Sequence, residues 1–529
     1  MALPYRWIFR IGALVLIAGT MGWLTFGRAG IFTSPDENAN AFFAQTFAET
    51  GSMIAHEPLN TVANGIIHPR STIAPGTVIL PASFLGFPFI TGVLRSAFGI
   101  FGALMFTPMI AVCAVLALWW IVKRSAHDEA LADLSALFLL THPAFWYYGA
   151  RVMMPNVAFV SLLIIGIACF FFASSRRSIV WGVIAGSVTM IGVTMRLVEI
   201  PVLLIVALII GIAYRKSLPW RVLCSATIAG IAVFAIYLLA NAHLYGSALA
   251  TGYTSPDVRS MSNGTSSPSA LSSMMSLLFP FGIHVRAMMV HAFRYGWLLY
   301  PISSTFAVIG AWLAWTSKDH RKAWRVLVIC LAVASVWMVT VYGSWTIADN
   351  PDPKAVTIGN SYVRYWLPLF AASSVLAAFA ARKMFAMPHC VVKIGIGCIV
   401  AVLLAMNTWT VFSGSDGFIA TRAALHTFNE KRSVVLEHTE PSAVVIVDRA
   451  DKYLFPFRRV IVPLRSDTTY AAMPVLAPVV PLYYFGITLP DIDLAYLNEH
   501  KLAVLGLMIE HVVTVQDESL YRIRISENL

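Results

Sequence analysis

The chain has 529 residues, 58% hydrophobic and 12% charged, with a formal net charge of +11. Soluble domains carry about twice that share of charge, and apolar runs of about 20 residues, enough to cross roughly 30 Å of hydrocarbon, recur from end to end. A soluble enzyme is therefore excluded. So is a nucleic-acid binder, because the positive charge is confined to short links and none has the aromatic interleaving of a single-strand binder.

In chain order, Arg6 and Arg10 precede an apolar run that predicts a retained first span at 7–27. It is longer than a signal-peptide core and more spans follow it. A long loop, 28–96, comes next. Its end, ILPASFLGFPFITGVL, is apolar but broken by Pro81 and Pro88, so it reads as an interfacial lead-in.

Ten further spans are predicted at approximately 97–122, 131–150, 156–175, 179–196, 198–214, 221–242, 296–316, 324–345, 362–381 and 390–412. With this count of about eleven, the basic clusters Lys123-Arg124, Arg176-Arg177, Arg215-Lys216 with Arg221, Lys318 with Arg321-Lys322, and Arg382-Lys383 all fall on the cytoplasmic side. That is the pattern of positive-inside loops, with the N-terminus in and the C-terminus out.

The outer side then receives the loops 28–96, 243–295 and 346–361 and a tail from 413 to 529. The fold class expected is an α-helical polytopic membrane protein, 1–412, with a small extracytoplasmic α/β domain, 413–529, in the cytoplasmic membrane. Within the tail AVVIVD (443–448), RRVIVPL (core 459–464), HVVTV (511–515) and LYRIRI (520–525) read as strands, and LAYLNEHKLAVLGLM (494–508) has helical periodicity. Residues 471–490 carry no charge. Their four prolines argue for a core or surface strand region rather than a twelfth span.

All six cysteines, at 113, 169, 224, 330, 390 and 398, lie in or beside apolar runs without CxxC spacing, and read as small core residues.

The stretch SPDENANAFFAQTFAETGS, 34–52, carries the chemistry. Ser34-Pro35-Asp36-Glu37 has the form of a capping box with proline at the first helical position. Ala39, Phe42, Phe43, Thr46 and Phe47 follow at helical spacing, and Gly51 closes the pattern, so an amphipathic helix, 35–50, is expected on the outer leaflet. Capping alone accounts for Glu37 and favours Asp36 through the helix dipole. It does not account for the position, directly after the first span and ahead of a loop carrying His56, Glu57, His68 and Arg70.

That arrangement resembles the GT-C class of polytopic glycosyltransferases, in particular the family 39-like enzymes. These include protein O-mannosyltransferases and the aminoarabinose transferases that modify lipid A. THPAFWYYGARVMMPN (141–156) resembles the family's segment between spans three and four, and NSYVRYWLPLF (360–370) its R-Y-x-x-P entry to a late span. The likeness covers most of residues 1–412.

The resemblance implies transfer of a sugar from a polyprenyl phosphate to a glycan, lipid or protein acceptor, with inversion. Asp36 would be the general base, and Glu37 a cap that also faces the acceptor. Arg364, within the family-like motif, would hold the donor phosphate, with Arg196, Arg151 and Arg294 as further candidates at outer span ends. His68, Tyr365 and His284 are weaker candidates for acceptor or phosphate. Many relatives carry a second acid where this chain has Asn156. No metal site is assigned on that account, no cofactor is implied, and a divalent metal is left open.

Two other readings compete. An O-antigen-type polymerase or ligase would use the loop 243–295, with Arg259, His284, Arg286, His291 and Arg294, but would leave the acidic first loop unexplained. A transporter needs polar groups at mid-membrane. Here the spans are nearly free of interior charge, and Arg196 with Glu199, near an outer edge, is the main exception.

Overall fold

The computed structural model describes residues 3–26, 30–254, 278–347, 352 and 354–526. Arg259 and the sequon Asn263-Gly264-Thr265 lie outside the described residues. The chain divides into two compact units, Met1–Thr25, Met105–Tyr237 and Gly264–Ala420 in one, and Phe26–Leu104, Leu238–Asn263 and Thr421–Leu529 in the other.

The first unit is helical. Seven helices among the described residues are long and apolar enough to cross a membrane, or eight if Val285–Leu298 and Pro301–Thr316, bent by 98°, form one broken span. This is a multi-pass membrane protein. Four of the expected spans look different, two of them because a proline breaks the helix. The segment expected at 131–150 is two helices, Glu129–Leu140 and Pro143–Ala150, because His142 precedes a proline and is extended (φ −61°, ψ 123°). The span expected at 296–316 begins at Pro301 for the same reason, with Tyr300 out of helical geometry. The first helix, α1 (Leu3–Phe26), and the helix Ile179–Met195 have apolar stretches shorter than 18 residues.

Charges at one set of helix ends are mutually paired. Arg10 meets Glu129 at 2.9 Å and Asp133 at 2.8 Å, and Arg382 meets Asp128 at 2.8 Å. Helices pack tightly where glycine permits: a Cβ on Gly310 would stand 1.9 Å from the Leu376 carbonyl oxygen of the helix Leu367–Phe385.

The second unit is built around the tail and the first loop together. The predicted helix is α2 (Pro35–Thr50), and Gly51, left-handed at φ 74°, closes it by donating its N–H to the Phe47 carbonyl. Two details differ from the expectation. The Ser34 hydroxyl accepts from the Asp36 amide, not from the Glu37 amide that a capping box uses. The helix is also not simply laid on lipid, because Glu37, Asn38 and Asn40 are buried along with Ala39 and Phe43. Buried polar residues need protein partners, and these are supplied by the loop and the tail.

After α2 come three short strands, β1 (Ala55–His56), β2 (Thr72–Ile73) and β3 (Val78–Pro81), in antiparallel order β1-β3-β2. The lead-in expected before the next span is already helical: α3 runs Gly86–Ala126, interrupted at Gly99, whose φ of 64° suits only glycine.

The tail forms a mixed sheet of β4 (Val444–Val447), β5 (Arg459–Ile461), β6 (Leu482–Ile487), β7 (Leu507–Val515) and β8 (Glu518–Ile525), in the order β5-β4-β6-β8-β7. β4 is parallel to both neighbours and wholly buried, as its unbroken Val-Val-Ile-Val demands. The uncharged stretch 471–490 supplies the end of the helix Asp467–Leu476 and the central strand β6, so it lies in the sheet as preferred. Helix is found in only part of 494–508, where Gly506 at φ 70° ends it and β7 begins.

Ala63 and Ile67 of the first loop enter the same hydrophobic core as Ile446, Ile461 and Tyr484, and Ile67 bridges to Ile461. The α/β core is therefore completed by residues that stand some 380 positions earlier.

Gly310→Ala should destabilise the helical unit by about 1–3 kcal/mol, since backbone cannot yield to the new methyl as a side chain can. Gly395→Ala, where nothing lies within 4 Å, is the control and should leave the melting temperature in detergent unchanged.

Candidate active site

The candidate residues fall into two groups, one in each compact unit, and each is described separately.

In the second unit, four polar residues in the first turns of α2 are each held by a different partner. Asp36 is half-buried, and its Oδ1 accepts a 2.6 Å hydrogen bond from the Ser71 hydroxyl. Glu37 is fully buried and accepts from Thr33 Oγ1 at 3.2 Å. Asn38 donates through Nδ2 to the carbonyls of Asp451 (3.3 Å) and Phe455 (3.1 Å). Asn40 Oδ1 accepts from Ser83 Oγ at 3.1 Å.

The turn that carries Ser71 is fastened from the tail. Asp451, wholly buried, accepts the Arg70 backbone N–H at 3.0 Å and binds its guanidinium at 2.6 Å from Nη2 and 3.1 Å from Nε. His68 is engaged in the same turn, with Nδ1 3.0 Å from both Thr72 Oγ1 and the Pro69 carbonyl. Glu57 caps the next turn and pairs with Arg459 at 2.9 Å.

In the first unit, Arg364 lies in the last turn of the short helix Ser361–Tyr365, which Asn360 caps by accepting from the Tyr362 amide. Its guanidinium reaches Met154 Sδ and the Tyr365 hydroxyl, each at 3.4 Å. Asn156 donates to the Arg364 carbonyl at 3.2 Å, so it holds backbone.

Tyr365 stacks on Tyr342 at 4.6 Å, and the Arg196 guanidinium lies 4.9 Å from the Tyr365 ring centre. Arg196 is itself in a buried triad. It donates to Glu199 Oε1 at 2.8 Å and to the Tyr342 hydroxyl at 2.7 Å, and Tyr342 in turn donates to the same carboxylate oxygen. The structure thus brings Arg364, Tyr365 and Arg196 together.

The other candidates are held as follows. Arg151 is buried and donates to the Tyr147 hydroxyl at 3.0 Å. Arg294 lies in a π-helical turn, Ala292–Leu298. His284 is exposed before the helix Val285–His291, its amide donating to Ser344 Oγ. His291, named in the sequence only for the competing polymerase reading, has Nδ1 2.8 Å from the Gly343 carbonyl and a ring that stacks on Tyr362 at 4.3 Å. Among the described residues no group of three or more His, Cys, Asp or Glu side chains is arranged to hold a metal ion.

No protein-family model and no curated protein sequence matches the chain. Solved structures do. The crystal structure of ArnT from Cupriavidus metallidurans bound to undecaprenyl phosphate superposes with a TM-score of 0.57 at 13% identity, covering 97% of this chain and 98% of that one. The fold is that of ArnT. ArnT in the apo state gives 0.53 at 11% identity over 98% of each chain. The Archaeoglobus fulgidus oligosaccharyltransferase tethered to an acceptor peptide gives 0.48 at 12% identity, covering 90% of this chain and 69% of that one. The GT-C-like architecture expected from the motifs at 36–37, 141–156 and 360–370 is the architecture found. ArnT shares it over nearly the whole of both chains, including the tail.

Beside the Arg70–Asp451 pair, Lys452 lies with its Nζ 4.2 Å from the Phe428 ring centre. Burial, reinforced by the Arg70 and Arg449 charges, pushes its amine down from 10.5 to about 8. Between these values the unfolded chain holds a proton that the folded one has released, so stability from this group rises with pH across that window. Lys452→Met should flatten the rise in melting temperature between pH 8 and 10.5 relative to wild type, as followed by scanning calorimetry in detergent.

Proposed function

We propose that the protein is an inverting glycosyltransferase that moves a sugar from a polyprenyl-phosphate donor to an acceptor hydroxyl at the outer face of the cytoplasmic membrane. The observation that carries this reading is the full-length fold shared with ArnT, whose structure holds undecaprenyl phosphate, together with an acidic residue at the start of α2. Under this reading 1–412 is the membrane-embedded catalytic body and 413–529 faces outward. The acceptor is a glycan, a lipid or a protein.

The chemistry needs few groups, because a phosphate is already a competent leaving group. The acceptor oxygen forms a bond to the anomeric carbon as the bond from that carbon to the phosphate oxygen breaks. Polyprenyl phosphate departs with the electron pair, and the hydroxyl proton passes to the Asp36 carboxylate. One displacement inverts the anomeric centre. Arg364 supports the departing phosphate with a planar fork that matches two phosphate oxygens. Arg196 is already paired with Glu199 and has the weaker claim to that role.

Two predictions test this. Asp36→Asn preserves size and helix-start preference, so it should fold and bind donor yet lose about 10²–10⁴-fold in turnover. Glu37→Gln keeps an acceptor for the Thr33 hydroxyl and should cost much less. The assay follows release of undecaprenyl phosphate from undecaprenyl-phosphate-linked mannose, glucose and aminoarabinose by protein reconstituted in liposomes. Turnover close to wild type in Asp36→Asn would reduce the acidic pair to a helix cap.

Arg364→Ala should weaken undecaprenyl phosphate binding by about 1.5–3 kcal/mol, and Arg364→Lys should recover only part of this. Unchanged affinity in the alanine variant would leave Arg364 a residue that merely reaches the interface.

A further inference from the structure

The tail of this chain makes a direct chain of contacts to the acidic residue at the start of α2. Asp451 follows β4 and is wholly buried. Its two carboxylate oxygens take both the backbone N–H and the guanidinium of Arg70. The next residue, Ser71, sits at φ 61°, a left-handed conformation that a residue with a Cβ adopts at a cost of about 1–2 kcal/mol. Such a conformation persists only where the surroundings enforce it. Here they do so from both sides: Asp451 fixes Arg70, and the Ala82 amide donates to the Ser71 carbonyl at 3.2 Å. Held in this way, Ser71 directs its hydroxyl to Asp36 Oδ1 at 2.6 Å.

We propose that Ser71, Arg70 and Asp451 are positioning residues for Asp36, so that the tail domain sets the orientation of the catalytic carboxylate through the Arg70–Ser71 turn. This rests on the reading of Asp36 as the general base. Proton transfer demands heavy atoms within about 2.6–3.2 Å, and a misplacement of about 1 Å is enough to cost roughly 10²-fold. A carboxylate on the first turn of a helix, half-buried, has two side-chain torsions to fix. The Ser71 hydroxyl fixes them, and the strained turn keeps the hydroxyl in place. The tail therefore acts on the rate of transfer and not only on which acceptor is taken.

The test is a double-mutant cycle read in the undecaprenyl phosphate release assay, with donor affinity and melting temperature measured on every variant. Ser71→Ala should lower kcat about 10-fold with KM and donor affinity unchanged. Ser71→Gly should do the same, although it removes the left-handed strain, which assigns the loss to the hydroxyl. Asp451→Asn should also lower kcat about 10-fold. Combined with Ser71→Ala it should add less than about twofold, because both act on the same carboxylate. Should Asp451→Asn fail to fold, Arg70→Lys takes its place in the cycle, since it keeps the backbone hydrogen bond and loses the fork.

A kcat that Ser71→Gly restores to wild type would overturn the proposal, as would losses that multiply to about 100-fold in the double variant. Inactive Asp36→Asn beside fully active Ser71→Ala and Asp451→Asn would sink this inference alone. Active Asp36→Asn would sink the functional reading beneath it.

Discussion

One buried carboxylate, Asp451, constrains more of the second unit than any other group described. Placing an ion out of water costs several kcal/mol unless its oxygens are satisfied. Asp451 meets that condition with the Arg70 guanidinium and the Arg70 amide, while its own backbone carbonyl takes Asn38 Nδ2. Three segments far apart in sequence are thereby held at one point. Removing any of them would leave a buried charge or amide unpaired, at about 1–3 kcal/mol for a neutral group and more for the carboxylate. Glu57 with Arg459, and Ile67 with Ile461, repeat the connection between first loop and tail at the next level of the sheet. The polar face of α2 then follows. Its asparagines are buried because the protein that covers them supplies their partners.

The first unit solves a different problem, that of keeping cations near a membrane boundary. Arg196 is neutralised by Glu199 and lies beside the stacked rings of Tyr342 and Tyr365, an arrangement that is strong where water is scarce. Arg364 shares the Tyr365 ring but has the soft sulfur of Met154 and a phenol as its neighbours. The two arginines therefore differ in the partners shown for them, although the sequence places both at span ends.

Features set by near neighbours were legible in the sequence, and features set by distant ones were not. Helix 35–50, its glycine stop and the strands at 444–447, 459–461 and 518–525 follow from period, caps and β-branched runs, all within a few residues. The break at Thr141–His142 was equally local, and the proline after His142 announces it. Apolar continuity over 131–150 hid it. The Arg70–Asp451 pair spans 381 positions, and nothing in either neighbourhood points to the other. In α2, Asn38 and Asn40 lie on opposite flanks of the apolar stripe of Ala39, Phe42, Phe43 and Phe47, so no single face marked both as buried.

Asp36 can now be separated from the cap that surrounds it. The N-terminus of α2 is closed by the Ser34 hydroxyl, which takes the Asp36 amide, and by the Ser34 carbonyl, which takes the Asn38 amide. Both contacts to Asp36 and beyond use backbone N–H groups, and both would survive with any side chain at position 36. The carboxylate itself is turned toward Ser71, a residue whose backbone is strained and held so by an ion pair from the tail. Helix stability offers no reason to maintain strain in a neighbouring turn for the sake of one extra hydrogen bond. Under the proposed role of Asp36 as general base, fixing the carboxylate does offer one, since its orientation then enters the rate.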